Sequence, residues 1–215
     1  MRQSKVLCIV LAILTALFLF TVSIALPILL RPFYYAHITP LALEQRTGLS
    51  REEIVTAYNE MMDFCTGRTE IFSTGILPWS QACKTHFADV RTLFLLDLCA
   101  AAVTGLLLLG WALTANLHNI RPYRFRKRGF AFWGCAGLGG FVLTLGTFAA
   151  TNFYRAFLLF HRVFFPGKVN WVFNPYTDAV ICILPQAFFR NCALLILLTI
   201  LLLCSIILLW DTRKP

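Results

Sequence analysis

Acidic side chains are scarce in this chain, ten Asp and Glu against nineteen Lys and Arg in 215 residues, and charged residues of both signs make up only 13% of it. No polar run is long enough for a separate soluble domain, and there is no internal repeat or low-complexity stretch. The usual nucleophile motifs are missing too. There is no Gly-x-Ser-x-Gly elbow, no His-Glu-x-x-His zinc helix and no Gly-rich phosphate loop. None of the eight cysteines is spaced as Cys-x-x-Cys, so they carry no metal or redox signature. Cys8, Cys99, Cys135 and Cys204 fall in apolar runs and read as small packing residues. Cys65 and Cys83 share one polar segment, where an oxidising compartment permits a disulfide.

What the chain does have is apolar length. Residues 6–30, 92–115, 130–152 and 192–210 are each long enough to cross a hydrocarbon core of about 30 Å, which takes about 20 helical residues. The first run exceeds the roughly 7–15 residues of a signal-peptide core and lacks a small-residue cleavage site before Arg31-Pro32, so it is expected to stay as a helix. The fold class is therefore an all-α membrane protein of four transmembrane helices, with residues 1–215 as one polytopic domain.

The basic excess, net +9, is a topology signal. Arg2 and Lys5 precede the first span, Arg121, Arg124, Arg126, Lys127 and Arg128 crowd the second loop, and Arg213 and Lys214 end the chain. Short loops rich in such residues stay cytoplasmic, which predicts both termini inside. Segments 31–91 and 153–191 then form a small extracytoplasmic cap. The first of these balances its basic residues with Glu44, Glu52, Glu53, Glu60, Asp63, Glu70 and Asp89, so nucleic acid is not an expected partner.

Within the cap, Ser50-Arg-Glu-Glu53 reads as a capping box and opens a helix from about Arg51 to Phe64. Ile54, Tyr58, Met61 and Met62 lie on one stripe of it. Thr66-Gly67, Thr74-Gly75 and Leu77-Pro78 predict loop, with room for a short strand or hairpin. Residues 153–165 predict an interfacial helix with a wide aromatic face, stopped by Pro166-Gly167. Residues 177–189 read as a short helix interrupted by Pro185.

Two histidines stand where outside segments meet the membrane. A span-two helix that begins before Arg91 puts His86, Asp89 and Asp97 on one face. There Asp89 is placed to orient His86 and raise its basicity, although capping a helix or touching phosphate would equally employ this histidine. His161 has Tyr154, Phe157 and Phe164 at helical spacings. An aromatic wall disfavours the charged imidazole by desolvation, but interfacial helices also carry histidines with no duty. Arg91, Arg155 and Arg162 sit at headgroup level, where they anchor the chain or hold a phosphate or ester carbonyl. Asp97 lies deep in a span, where a carboxylate is costly and a functional candidate by default. His86, Asp89 and His161 number enough for three metal ligands, but the pattern is weak and no metal is expected.

These motifs carry a resemblance. Tyr35, Leu41-Ala-Leu-Glu44, Thr47-Gly48-Leu49-Ser50, His86-Phe-Ala-Asp89-Val-Arg91, Phe160-His161-Arg162-Val-Phe164-Phe165-Pro166-Gly167, Trp171-Val-Phe173-Asn174-Pro175 and Asp178 resemble the bacterial lipoprotein intramolecular transacylase family over nearly the whole chain. The resemblance implies a multi-pass protein of the bacterial cell membrane, with its site on the extracytoplasmic side. It implies transfer of the sn-2 acyl chain of a diacylglyceryl lipoprotein to the amine of its N-terminal cysteine. It also implies two catalytic histidines, His86 and His161, with His86 as base oriented by Asp89 and His161 serving the oxyanion or leaving alkoxide, or the reverse. Arg91, Arg162, Tyr34, Tyr35, Tyr154, Phe157, Phe164, Trp171 and Asp178 are the expected substrate contacts. Because amine and ester belong to one molecule, neither a cofactor nor an obligate protein partner is expected beyond lipoprotein and membrane lipid. The alternatives are another lipid esterase or acyltransferase, and a non-enzymatic lipid-binding scaffold.

Overall fold

The computed structural model describes residues 2–117 and 119–212. His118 of the second loop and the terminal Arg213 and Lys214 lie outside that range. Among the described residues, four helices are long and apolar enough to cross a membrane: α1 (Lys5–Leu29), α5 (Gln81–Thr114), α6 (Phe130–Thr151) and α9 (Gln186–Thr212). Between α1 and α5 come α2 (Arg31–Tyr35), α3 (Leu43–Thr47) and α4 (Arg51–Cys65); α7 (Phe153–Phe164) and α8 (Val180–Ile183) separate α6 from α9. Two three-residue strands, β1 (Arg2–Ser4) and β2 (Ile120–Pro122), pair in parallel, an addition to the expected all-helical chain.

Two helices start earlier than their apolar runs. Helix α5 begins at Gln81, eleven residues before the apolar stretch at Thr92, because Ser80 caps it: Ser80 Oγ accepts from Cys83 N–H at 3.2 Å. At 34 residues it is about 51 Å long against a core of about 30 Å, so its first three turns extend beyond the hydrocarbon. Helix α9 likewise starts at Gln186, directly after Pro185, which favours a helix start over a helix interior. The short helix expected over 177–189 is thus split between α8 and the first turn of α9.

The chain forms two compact units. One comprises residues 1–25, 97–147 and 195–215, and its core is Leu19, Cys135, Leu138, Val142, Ile200 and Cys204. Buried hydroxyls here bond back to their own helices, Thr15 to the Leu11 carbonyl at 2.8 Å and Ser23 to that of Leu19 at 2.7 Å, which pairs these two groups where water is absent. Gly134 brings α6 close to α1: a Cβ there would lie 2.5 Å from the Ala12 carbonyl oxygen. Backbone cannot yield as a side chain does. Gly134→Ala is therefore expected to lower stability by about 1–3 kcal/mol, read as a fall in thermal unfolding temperature in detergent. An unchanged midpoint would contradict this packing.

The second unit comprises residues 26–96 and 148–194. The capping box forms as expected, with Ser50 Oγ accepting from Glu53 N–H and the Glu53 carboxylate from Ser50 N–H. The α4 stripe of Ile54, Tyr58, Met61 and Met62 is buried. It covers the Tyr34 ring, stacked on Tyr58 at 3.7 Å and 7°; the Tyr34 hydroxyl donates to the Ile183 carbonyl at 2.9 Å, tying α2 to α8. Arg31 clamps the other side, donating to the Asn59 side chain at 3.1 Å and to Asp63 at 2.7 Å. Residues 66–80 are loop, with one isolated bridge between Thr74 and Ile76. Cys65 and Cys83 are free buried thiols, and burial pushes each up to about 12.

Candidate active site

The second unit brings the two histidines together. His86 comes from the extended first turns of α5, and His161 from the third turn of α7, where Asn152 caps the start by accepting from Arg155 N–H at 3.0 Å. Their ring centroids lie 5.9 Å apart at 28°, and only 6% and 7% of the two residues is exposed. Helix α7 stops one turn later because Gly167, at φ 72°, takes a left-handed conformation open to glycine. The chain then turns back across the site through Lys168, Asn170 and Trp171.

Aromatic rings enclose both imidazoles. Phe165 and Phe173 present edge contacts to His86 at 4.9 and 5.4 Å. His161 lies against Phe157 at 4.3 Å and Trp171 at 4.5 Å. Trp171 is held by its indole N–H, which donates to the Lys168 carbonyl at 3.0 Å. Phe157 and Trp171 were expected in this wall. Phe165 and Phe173 were not, although Phe165 stands four residues after His161, a helical neighbour the spacing could have shown. Tyr154 and Phe164 sit elsewhere, 58% and 50% exposed; Phe164 packs on Phe160 at 4.6 Å.

The two imidazoles differ in their hydrogen bonding. His161 Nδ1 lies 2.8 Å from the Phe157 carbonyl oxygen. A carbonyl only accepts, so Nδ1 carries the proton and the Nε2 lone pair of the neutral ring is left bare. His86 Nδ1 is buried without a partner. Burial, then the neighbouring His161, push His86 down to about 4, and the opposing pull of Asp89 is smaller. Burial also lowers His161, and its bond to Phe157 opposes that. With centroids 5.9 Å apart, two imidazolium charges would repel by about 3 kcal/mol at an effective dielectric of about 20. Both rings are thus held neutral at neutral pH.

Asp89 was expected to hydrogen-bond His86, and it does not. Its carboxylate accepts from Lys168 Nζ at 2.6 Å and Asn170 Nδ2 at 3.3 Å, so it fastens the 168–171 turn to α5 and reaches the imidazole only through its charge. Burial alone would raise the Asp89 carboxyl, but the bonds from Lys168 and Asn170 hold it below its ordinary value. The turn residues were hidden from spacing arguments because they lie 79 and 81 positions away in sequence.

The remaining expected contacts divide between structural work and open surface. Asp178 is buried and accepts from Ser80 N–H at 2.8 Å, which fixes the residue that caps α5 and so the height of His86. Arg91 pairs with Glu70 at 2.5 Å and lies over the Phe64 ring at 5.0 Å. Tyr35 donates to Asn59 at 2.7 Å. Arg162 is exposed on α7. Asp97 has one buried oxygen without a partner and belongs to the other unit. Among the described residues, no three His, Cys, Asp or Glu side chains are placed to hold one metal ion.

A family model described as lipoprotein intramolecular transacylase Lit matches residues 9–189. Among solved structures, the chain is similar to the membrane integral lipoprotein intramolecular transacylase Lit from Bacillus cereus, at 23% identity and a TM-score of 0.83, over 98% of this chain and 96% of that one. Two variants of that protein, with a histidine replaced by arginine or by alanine, match at 23% identity and TM-score 0.78, over 98% of this chain and 92% and 94% of theirs. No curated protein matches this sequence.

Proposed function

This chain belongs to the lipoprotein intramolecular transacylase family, and we propose that His161 is the general base of its reaction and His86 the donor to the oxyanion. The reaction moves the sn-2 acyl chain of a diacylglyceryl lipoprotein to the amine of that lipoprotein's N-terminal cysteine, leaving the lyso form. The substrate supplies its own nucleophile, which fits two imidazoles whose one side-chain hydrogen bond among the described residues goes to a backbone carbonyl and none to a Ser or Cys.

The single observation carrying the assignment is the bond from His161 Nδ1 to the Phe157 carbonyl, which leaves Nε2 as a lone pair. That nitrogen takes a proton from the cysteine ammonium. The amine attacks the ester carbonyl carbon, a C–N bond forms, and His86, neutral and able to donate, stabilises the oxygen that gains charge. As the tetrahedral centre collapses, the ester C–O bond breaks, His161 returns the proton to the glyceryl alkoxide, and the imidazole so freed accepts the nitrogen's second proton, which leaves to solvent as the secondary amide forms. The ring-lined setting keeps water from competing with the amine. It also holds two groups of one molecule at bonding distance, turning positional entropy into rate. Asp89 and Asp178 act as positioning residues, one through the 168–171 turn and the other through Ser80. The exposed Arg162, Tyr154 and Phe164 of α7 supply headgroup-level contact for the substrate and membrane lipid. The distribution of Lys and Arg supports a site on the extracytoplasmic side.

The pH dependence follows from the lowered imidazoles. A histidine whose folded value is depressed stays neutral above its ordinary value of about 6.5 and some way below it. Neither ring is then protonated as pH falls from 8 to 6.5. The substrate α-ammonium, with an ordinary value of about 7.7–8.0, is what titrates in that window. Because neutral His161 takes that ammonium's proton, kcat/KM is expected to stay level as pH falls from about 7.7 to about 6.5, and to fall only below about 6.5, where the lowered imidazoles begin to protonate. Assays on a synthetic diacylglyceryl lipopeptide, with mass spectrometry of the N-acyl product, measure this. A tenfold fall per pH unit that begins at about 7.7, or free fatty acid with an unmodified cysteine nitrogen, would overturn the reading.

A further inference from the structure

Among the described residues of the second unit, two buried side-chain atoms have no hydrogen-bond partner: His86 Nδ1 and Asn170 Oδ1. They belong to segments joined through one carboxylate, since Asn170 Nδ2 donates to Asp89, three residues along α5 from His86. Asp89 accepts only, so it fixes which way the Asn170 amide faces: nitrogen toward the carboxylate, oxygen away from it. Native proteins pair nearly all buried polar atoms, so an exception at a site is an argument for a ligand. With neutral His86 in the tautomer that its oxyanion role requires, protonated at Nδ1, the two atoms are of complementary kinds. A ring nitrogen bearing its proton needs an acceptor, and an amide oxygen needs a donor.

A tetrahedral aminolysis centre carries both on one carbon, an oxyanion and an N–H. On the transacylase reading of this site, we infer that Asn170 Oδ1 accepts the N–H of the attacking cysteine amine while His86 receives the oxyanion. Once its ammonium proton has passed to His161 Nε2, the amine keeps two hydrogens. One is held by Asn170, and the nitrogen lone pair then points at the ester carbon. Collapse forms the amide, whose nitrogen keeps the hydrogen held by Asn170, and releases the glyceryl hydroxyl with a proton from His161, which then accepts the nitrogen's other proton and passes it to solvent. Asn170 therefore selects amine over water. A water molecule at the same place would add its oxygen to the acyl carbon, releasing fatty acid and the same hydroxyl, and it lacks the second substituent that fixes the amine's approach.

The test is the partition between the two products. In Asn170→Ala, N-acylation of a diacylglyceryl lipopeptide is expected to fall about 10- to 100-fold, while the ratio of free fatty acid to N-acyl product rises. Lys168→Met is the control, since it removes the other tether of Asp89 and leaves Asn170 Oδ1 in place. It is expected to slow both products without moving their ratio. Asn170→Ser carries the same test with a smaller loss of volume should the alanine variant not fold, as judged by thermal unfolding. An Asn170 variant with the wild-type ratio, or one matched by Lys168→Met, would show that Asn170 only tethers the turn. That result overturns the inference alone. Absence of N-acyl product from the wild-type protein would instead overturn the transacylase reading on which it rests.

Discussion

His161→Ala is expected to lower transacylation about 10²- to 10⁴-fold at pH 7, the range that a positioned base contributes. The protein should still fold, because His161 makes one hydrogen bond, to a carbonyl in its own helix. The size of the defect is less informative than its pH dependence. A base matters most while the cysteine nitrogen is an ammonium. As pH rises above about 8, the nucleophile arrives already deprotonated, and the variant should regain part of its lost rate. If the deficit is the same at pH 7 and pH 9, His161 is not the base.

His86→Ala is expected to cost about 10²- to 10³-fold, as for loss of one oxyanion donor. Here the deficit should persist at every pH, since charge develops on the carbonyl oxygen whatever the state of the amine. The imidazole is neutral over the working range because burial and its neighbour push it down to about 4, so it donates without first having to lose charge. His86→Gln retains an N–H donor and should recover part of the rate. The double variant should be little worse than either single one, as is usual for groups that act as a unit. A defect in His86→Ala that shrinks with pH would exchange the two roles.

Much of this arrangement could be read from the sequence because the signals were local. The four apolar runs, the Ser50–Glu53 capping box, the α4 stripe and the Pro166-Gly167 stop each depend on residues within a turn or two of one another. The two histidine motifs stood out for the same reason. What spacing could not show is set by partners far apart in the chain. Asp178 reaches Ser80 across 98 positions and so decides where α5 starts. Lys168 and Asn170 claim the carboxylate that local spacing had assigned to His86. The aromatic wall is made by Phe165 and Phe173 where Tyr154 and Phe164 were expected. That choice depends on which rings the returning 165–173 turn brings inward. The order of the two histidines in the mechanism rests on one backbone carbonyl, Phe157, a partner whose identity no side-chain pattern carries.

Two neutral imidazoles face one another in this site, with the His161 proton on Nδ1. ¹⁵N NMR of the histidine-labelled protein in lipid, resolved with single-histidine variants, reads both charge and tautomer directly. At pH 7 the spectrum should show a neutral His161 protonated at Nδ1 and a neutral His86. An imidazolium at either position, or a His161 protonated at Nε2, would contradict this arrangement.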